Sequence, residues 1–514
     1  MKNIFHRSQL PGWPLYSLIA GGLTTLAFAP FDLNWLVFFT LATVFYIWSR
    51  STARQAAVNA WFFGLGLQGA GVSWIYYSLH VHGSAPAFFA GLMIFLLCAY
   101  LSIYTALAAY VVNRYLTENR TLRLLVFYPA SWVVFEWLQG YVMTGFAWMQ
   151  LGYSQIDLPL SGFAPVFGNH AVGGLVAISA GAMALLLSQI YNMFKGSRPK
   201  SHQSGRHSKY IVIVITPVVL IWLGGSLLKT VSWTQESGDA IKVSIIQGNI
   251  AQKDKWKSYM KKPTMDRYLK LSLAQKDVDL IVWPETAVPD YWYRVTPYIE
   301  NLRREMAVSG TDLLLGIFVK NDELRLLNSV VNINGGVYKK RHLVPLGEYI
   351  PLRFLIEFFN KFVKIPMSDI ASGDDGQPLL TGAGVPLGVS ICFEEAFARD
   401  VIKDLPEARI LVNVSNDAWF EDSHEPHQHH AIARMRALET GRYMIRSTNT
   451  GITSFIGPHG EVIKQLPQFE VGVLTAEVQP LSGATPFVRW GDGLIVGLCS
   501  LILLGFGFRA SRDQ

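Results

Sequence analysis

The sequence predicts two folds in one chain: a polytopic α-helical membrane domain with eight transmembrane helices, and an α/β domain. Of its 514 residues, 51% are hydrophobic and only 16% are charged, whereas ordinary globular chains carry about 25% charged residues. Eight apolar runs are long enough to cross a bilayer. Residues 230–487, in contrast, are charged and rich in short β-like runs. We therefore expect residues 1–229 to hold seven spans, 230–487 to form the α/β domain, and 488–514 to hold the eighth span and a tail.

The charges that flank the apolar runs predict the orientation in the membrane. The candidate spans are residues 10–30, 33–49, 56–79, 86–112, 122–139, 166–193, 210–229 and 490–508. Lys and Arg occur in alternate gaps, and the short gaps at 31–32, 80–85 and 140–165 contain neither. The positive-inside rule then places both termini in the cytoplasm and residues 230–487 in the periplasm, if the cell is Gram-negative. Buried helices of a soluble protein are the alternative, and the alternation of charge disfavours them.

The composition excludes several classes of function. The formal net charge of +7 does not indicate a nucleic-acid-binding protein, because the basic residues lie in short clusters between apolar runs. Three cysteines allow neither a disulfide framework nor a zinc spacing. Cys98 and Cys499 lie within apolar runs, so Cys392 is the one thiol expected outside the membrane. The N-terminal run lacks a small-residue cleavage site, which predicts a retained first span.

Predicted strands and helices alternate within residues 230–487, which favours a layered α/β domain. The predicted strands are IKVSIIQGNI (241–250), DLIVWPET (279–286), DLLLGIFV (312–319), SVVNINGGVYKK (329–340), PLGVSICFE (386–394) and RILVNVSND (409–417). Amphipathic stretches at 265–276 and 428–442 predict helices.

Glu285, Lys340 and Cys392 each stand at the end of a predicted strand, where the active sites of open α/β domains gather. Each alone has an ordinary explanation: a surface carboxylate, a solvated lysine or a thiol that behaves as a small hydrophobe. Together they suit acyl transfer through a thioester. The thiolate is the nucleophile, the carboxylate takes the thiol proton, and the ammonium stabilises the oxyanion.

Three motifs resemble the Glu, Lys and Cys motifs of the nitrilase superfamily: WPETAVP (283–289), YKKRHLVPLGEYIP (338–351) and GVSICFEE (388–395). The resemblance implies a nitrilase-like α-β-β-α sandwich for the α/β domain. Taken without the apparent spans, these motifs would indicate only a carbon–nitrogen hydrolase.

Three further segments narrow the resemblance to the apolipoprotein N-acyltransferases of Gram-negative bacteria: GVSWIYYSL (71–79), FYPASWVVFEWLQGYVMTGFAWMQLGYSQID (127–157) and NVSNDAWFEDSHEPHQHHAIARMRALETGR (413–442). The resemblance covers nearly the whole chain and implies an inner-membrane enzyme. Cys392 is expected to take an acyl chain from a phospholipid, with phosphatidylethanolamine the expected donor. The acceptor is expected to be the α-amine of the N-terminal diacylglyceryl-cysteine of an apolipoprotein.

The resemblance also implies roles for single residues. Glu285 matches the general base and Lys340 the oxyanion stabiliser, while Glu348 matches a second glutamate that positions the lysine or helps to move protons. The backbone N–H of Phe393 is expected to complete the oxyanion hole, at a position where the family often has Tyr. Glu394 is expected to orient this turn.

Two tryptophans are candidate substrate-binding residues. Trp256 resembles a family tryptophan on a mobile arm, although a packed surface aromatic is an equally good interpretation. Trp148 belongs to a group of aromatic residues that are candidates to flank an apolar path for the acyl chain: Trp74, Tyr76, Tyr77, Phe146 and Trp148. Anchoring at the membrane interface is the better explanation for any single one of them. Glu136, an acid in the fifth span, is expected to face protein or water and is not assigned to catalysis.

The run DSHEPHQHH (422–430) contains the residue types of a metal site. The resemblance gives it a structural role beside the nucleophile, so we expect neither a metal nor another cofactor.

Two other functions stay open. A membrane-anchored amidase or nitrilase would use water as acceptor, but a hydrolase of a soluble substrate would not need eight spans as its anchor. A transporter or scaffold would be expected to show internal repeats and to have lost a triad residue. Nothing in the sequence requires a partner chain, so a monomer is expected.

Overall fold

A computed structural model describes residues 12–194, 204–345, 347–349 and 370–512. The described residues divide into two compact units. The helical unit comprises the described parts of Met1–Ser73, Leu92–Val231 and Asp492–Gln514, and the sandwich unit comprises those of Trp74–Gly91 and Ser232–Gly491. The segment Trp74–Gly91 thus belongs with the α/β fold, although hydropathy assigned parts of it to two spans.

Apolar helices build the helical unit. They are Trp13–Thr24, Leu36–Ser49, Ala53–Gly71, Ala87–Tyr115, Tyr128–Gln139, Ala164–Phe194, Ser204–Leu228 and Gly493–Arg512. The helix Ala87–Tyr115 belongs to this unit from Leu92 onwards. Among the described residues, Ala87–Tyr115 and Pro159–Ile190 are long and apolar enough to cross a membrane. Other apolar helices, such as Leu36–Ser49 with 14 residues, fall short of the roughly 20 residues that a straight span needs. The expected number of eight spans is therefore not confirmed.

Helices Trp13–Thr24 and Ala53–Gly71 pack with their backbones in close approach. A Cβ atom at Gly21 would lie 2.0 Å from the carbonyl oxygen of Phe63, and one at Gly66 would lie 2.1 Å from that of Leu18. Only glycine fits at either position. Such small-residue contacts are typical of helix pairs within membranes.

Within the described residues, the sandwich unit contains two six-stranded mixed sheets and a two-stranded sheet of its first and last strands. The strands are β1 Gln235–Glu236, β2 Ile241–Gln247, β3 Leu280–Val282, β4 Asp312–Lys320, β5 Leu326–Asn332, β6 Val337–Lys339, β7 Leu380–Gly382, β8 Val385–Ile391, β9 Ile410–Ser415, β10 Met444–Thr448, β11 Ser454–Ile456, β12 Val462–Gln465, β13 Gly472–Val478 and β14 Leu481–Ser482. The first sheet has the order β13-β2-β3-β4-β5-β6 and the second β12-β11-β10-β9-β8-β7. Strands β2 to β4 run parallel, as do β8 to β10.

Alternation along the strands sorts the side chains into layers, because successive residues point to opposite faces of a sheet. Val282 and Val412 belong to the core between the two sheets. Their neighbours Ile281 and Leu411 pack on the outer faces instead. The helices in these outer layers are Ser258–Leu273 and Thr296–Ser309 on the first sheet and Glu425–Thr440 on the second. The expected α-β-β-α sandwich is therefore confirmed in the described residues.

The predicted strand at 329–340 is a hairpin. Strand β5 ends at Asn332 and β6 begins at Val337, and Gly335 and Gly336 between them have φ angles of 141° and 92°. An Asn-Gly-Gly sequence favours such a turn, because glycine adopts positive φ without steric cost. The hairpin returns the chain so that the N–H of Lys340 donates to the carbonyl of Asn328 at 2.8 Å.

Candidate active site

Cys392 is the first residue after β8 and adopts a left-handed conformation, with φ of 54°. It opens the 3₁₀ turn Cys392–Ala396, which we call the nucleophile turn after the predicted role of Cys392. Such a conformation in a residue with a side chain costs about 1–3 kcal/mol and persists only where neighbouring groups enforce it. The contacts of this turn therefore decide where the thiol lies.

The carboxylate of Glu394 holds the turn from one side. Its Oε1 accepts hydrogen bonds from the backbone N–H groups of Arg341 at 2.6 Å and His342 at 2.9 Å. Its Oε2 accepts from the N–H of Ile391, the residue before Cys392, at 2.7 Å. Burial raises the pKa of Glu394 to about 7. Glu394 thus joins the nucleophile turn to the segment that follows Lys340.

Glu285, Asn328, Glu348 and Lys340 form a continuous hydrogen-bonded chain. The Lys340 Nζ lies 2.9 Å from each carboxylate oxygen of Glu348. The Asn328 Nδ2 donates to Glu348 Oε1 at 3.2 Å and to Glu285 Oε1 at 2.7 Å. Glu285, Asn328 and Lys340 are buried. The chain therefore holds the acid and the cation of the predicted triad in fixed positions.

The thiol of Cys392 lies within the electrostatic field of Glu285 and Lys340. Desolvation and then the charge of Glu285 raise the pKa of Cys392 well above its ordinary value, while Lys340 opposes the shift. Burial likewise raises the pKa of Glu285, against the opposing charge of Lys340. Burial would lower the pKa of Lys340, but Glu348 and Glu285 raise it, so its ammonium keeps its charge. The structure thus brings the three predicted triad residues within electrostatic reach of one another, and their action as a catalytic triad stays a prediction.

Of the other predicted residues in the sandwich unit, Phe393 and Trp74 are buried and Trp256 is exposed. Phe393 is buried and packs against Phe397, with ring centroids 5.0 Å apart. Trp256 is 38% exposed, and its ring lies 5.8 Å from that of Phe318. Trp74 donates through Nε1 to Gln428 Oε1 at 3.0 Å.

Trp148 lies in the helical unit, where it is 2% exposed. With Glu136 and other residues it lines a cavity of about 20 Å³. Glu136 Oε1 accepts hydrogen bonds from Trp132 Nε1 and from the N–H of Leu151, both at 3.0 Å. These two bonds satisfy Oε1 of the buried acid. The place of Trp148 in a substrate path stays a prediction.

Two residues of the site escaped prediction from the sequence. Asn328 lies inside β5, where an amide resembles any other polar strand residue. Lys255 precedes Trp256 in a segment that resembles a solvated surface, yet it is buried and its Nζ donates to the carbonyl of Glu285 at 3.1 Å. Burial lowers the pKa of Lys255 to about 7. No sequence signal marks either residue, because each acts through a partner that is distant along the chain.

A second group of ionisable residues, which we call the buried charge cluster, lies next to the nucleophile turn. Its members are Glu395, Asp417, Glu425, His429 and Arg446. The ligand-type atoms of Asp417, Glu425 and His429 lie within 4.8 Å of one another, as those of a metal site would. However, Arg446 already lies 2.6 Å from Glu395 and 3.3 Å from Asp417. The guanidinium of Arg446 thus pairs with two of the three acids of the cluster.

Comparison with known proteins identifies the family. Residues 20–182 match the model of the apolipoprotein N-acyltransferase N-terminal domain, and residues 242–487 match that of the carbon-nitrogen hydrolases. The apolipoprotein N-acyltransferase of Methylococcus capsulatus is 40% identical over 95% of this chain and 94% of its own. That of Coxiella burnetii is 34% identical over 95% of this chain and 98% of its own. The chain belongs to the apolipoprotein N-acyltransferase family.

Within this apolipoprotein N-acyltransferase family member, Glu285, Lys340 and Cys392 all lie in the part that matches the carbon-nitrogen hydrolases. Among solved structures, Nit3 of Saccharomyces cerevisiae matches 48% of this chain and 93% of its own at 17% identity, with a TM-score of 0.36. At that score the superposition adds nothing to the family models, which carry the assignment of a nitrilase-like domain.

Proposed function

We propose that this protein moves an acyl chain from a membrane phospholipid to an apolipoprotein through a thioester on Cys392. The acceptor is the α-amine of the N-terminal diacylglyceryl-cysteine. One observation carries the proposal: a largely buried Glu-Asn-Glu-Lys hydrogen-bonded chain lies within electrostatic reach of the Cys392 thiol, in a chain similar along nearly its whole length to apolipoprotein N-acyltransferases. The family match supports a bacterial membrane enzyme that acts on lipoproteins.

In the first half-reaction, Glu285 takes the thiol proton of Cys392 as the sulfur attacks the ester carbonyl carbon of the phospholipid. The oxyanion of the tetrahedral intermediate is stabilised by the Lys340 ammonium and the Phe393 N–H. The intermediate collapses when the ester C–O bond breaks. Glu285 returns the proton to the departing lysophospholipid oxygen, and the acyl chain stays on Cys392 as a thioester.

In the second half-reaction, the amine of the lipoprotein attacks the thioester carbonyl and Glu285 accepts a proton from its nitrogen. The C–S bond breaks, the amide forms, and the Cys392 sulfur recovers a proton from Glu285. The raised pKa of Glu285 suits both steps, because it makes the carboxylate a stronger base toward the thiol and the amine. Glu348 holds Lys340 in place throughout.

The finer assignments follow from the same chemistry. Each CH₂ group kept out of water contributes about 0.8 kcal/mol, so both lipid substrates stay in an apolar environment, and Trp256 and Trp148 are proposed to contact them. The donor is proposed to be phosphatidylethanolamine, and the enzyme a monomer. The alternating basic gaps support cytoplasmic termini and a periplasmic sandwich unit, in a multi-pass protein of the inner membrane.

The alternative of a membrane-anchored amidase is less well supported. Similarity to apolipoprotein N-acyltransferases extends over the helical segments as well as the hydrolase part. A small-amide hydrolase would need only the latter.

Intact-protein mass spectrometry after incubation with phosphatidylethanolamine tests the proposal. The wild type and a Cys98→Ser/Cys499→Ser variant are expected to gain one acyl chain that hydroxylamine removes, and Cys392→Ala is expected to gain none. A peptide with an N-terminal diacylglyceryl-cysteine should then discharge the adduct, and its N-acetylated form should not. Discharge at one rate with or without the peptide would instead favour hydrolysis. A folded wild type that gains no acyl chain would refute the phospholipid donor.

A further inference from the structure

Two side chains outside the triad bind the main-chain carbonyl oxygen of the nucleophile. His429 Nε2 lies 3.2 Å from the carbonyl oxygen of Cys392, and Asn413 Nδ2 donates to the same atom at 3.4 Å. His429 comes from the helix Glu425–Thr440 and Asn413 from β9. These two residues follow the turn in the sequence, whereas Arg341 and His342, which donate to Glu394, precede it.

The position of this carbonyl determines the direction of the proposed oxyanion donor. The carbonyl of Cys392 and the N–H of Phe393 belong to one peptide unit, which is planar, so they point in opposite directions. Fixing the oxygen therefore fixes the line along which the Phe393 N–H points. The left-handed φ of Cys392 makes this restraint necessary, because the chain does not prefer that conformation by itself.

The oxygen atoms around His429 favour a proton on both ring nitrogens. Nε2 faces the carbonyl oxygen of Cys392, which can only accept. Nδ1 lies 3.4 Å from Asp417 Oδ1 and 3.3 Å from Glu425 Oε1. Burial and Arg446 lower the pKa of His429, but its bonds to Asp417 and Glu425 raise it to about 9. The pKa of Asp417 is lowered to about 2 by Arg446 and His429 despite its burial, so this carboxylate remains an acceptor.

Arg446 orients the second donor through the same cluster. Its NH1 group donates to Glu395 Oε2 at 2.6 Å and to Asn413 Oδ1 at 2.9 Å. With the amide oxygen bound to the guanidinium, the amide nitrogen of Asn413 donates to Ser390 Oγ at 3.0 Å and to the Cys392 carbonyl at 3.4 Å. All these side chains are buried, so their bonds form in a medium that strengthens them.

We propose that His429, as an imidazolium held by Asp417 and Glu425, is a positioning residue that aims the Phe393 N–H at the oxyanion by fixing the Cys392 carbonyl. This inference rests on the proposed thioester chemistry. It assigns to the buried charge cluster a part in acyl transfer, where a purely structural role would be the alternative. His429 touches neither substrate nor sulfur in this assignment.

A matched pair of variants separates the two bonds of the imidazolium. In His429→Gln, the longer side chain brings an amide N–H to the place of Nε2 and keeps the bond to the carbonyl. In His429→Asn, the amide lies at the place of Nδ1 and keeps only the contacts with Asp417 and Glu425. Both variants are neutral and polar, so they differ mainly in the bond that the inference requires.

Two rates are measured on each variant in detergent. The first is acylation of Cys392 by a p-nitrophenyl ester of a fatty acid, measured by the burst of p-nitrophenol. This reaction needs the oxyanion donor. The second is alkylation of Cys392 by iodoacetamide in a Cys98→Ser/Cys499→Ser background, which needs the thiol but no oxyanion donor.

We expect the acylation rate to fall on the order of 10–100-fold in His429→Asn, which is a smaller reduction than removal of a whole oxyanion donor causes. In His429→Gln the rate should stay close to that of the wild type. Alkylation should stay close to wild type in both. Equal acylation rates in the two variants would overturn the inference, as would a parallel loss of alkylation and acylation. Loss of wild-type acylation on dialysis against EDTA would also overturn it, because Nδ1 would then bind a metal. The activated ester makes this test independent of the phospholipid donor. If the proposed donor is wrong, acylation by phospholipid fails while acylation by the p-nitrophenyl ester still proceeds.

Discussion

Replacing Asn328 with leucine should move the acidic limb of thioester formation to higher pH. The Asn328 Nδ2 donates to Glu285 Oε1 at 2.7 Å and to Glu348 Oε1 at 3.2 Å. These bonds stabilise the ionised carboxylates, so the loss of Nδ2 favours the protonated form and raises the pKa of Glu285. Because a base acts only when it is ionised, the rate at a given acidic pH must fall.

The size of the shift follows from the bond to Glu285. A hydrogen bond to a charged group contributes about 1.5–3 kcal/mol. One pKa unit corresponds to about 1.4 kcal/mol, so the limb should move by about 1–2 pH units. On that limb, Asn328→Leu should therefore form the thioester about 10–100-fold more slowly than wild type, with a much smaller difference at higher pH.

The assay is the p-nitrophenol burst, or the amount of acyl-enzyme by mass spectrometry, across a pH series. Asn332→Leu is the matched control. Asn332 is a buried amide in the same strand, and its Nδ2 donates at 2.7 Å to the neutral carbonyl of Thr381. Its loss should lower stability without moving the limb. A folded Asn328→Leu protein whose limb coincides with wild type would refute the reasoning, as would an equal shift in Asn332→Leu.

Three further outcomes are expected. In Lys255→Met, thioester formation should slow below about pH 7, where protonated Lys255 helps to keep Glu285 ionised, and match wild type above it; an equal loss at every pH would contradict this. Glu394→Gln should lower the free energy of unfolding by about 1.5–3 kcal/mol, because glutamine has one acceptor oxygen and its NH2 cannot accept in place of the other; an unchanged melting temperature in detergent would argue against it. Trp256→Ala should raise the KM for phospholipid with little change in melting temperature, since the ring is 38% exposed; an unchanged KM would remove Trp256 from the substrate site.

The sequence predicted those features of the fold that depend on local patterns. Period-two alternation marks strands such as β2 and β9, and apolar length marks the helix Ala87–Tyr115. The number of spans was less accessible, because apolar runs divide into helices that are often shorter than the runs themselves. The segment Trp74–Gly91 shows the same limit, since hydropathy does not reveal which unit a segment joins.

The sequence by itself indicated candidate residues at the strand ends, where active sites of α/β domains gather. Glu285 and Lys340 follow strands β3 and β6 of the first sheet, and Cys392 follows β8 of the second. Only the tertiary structure decided what holds them. The bonds from Lys255 and Asn328 to Glu285 and from His429 to Cys392 join residues 30, 43 and 37 positions apart. No local pattern encodes such bonds, since a polar side chain acquires its partner, and its protonation state, only when burial brings distant segments together.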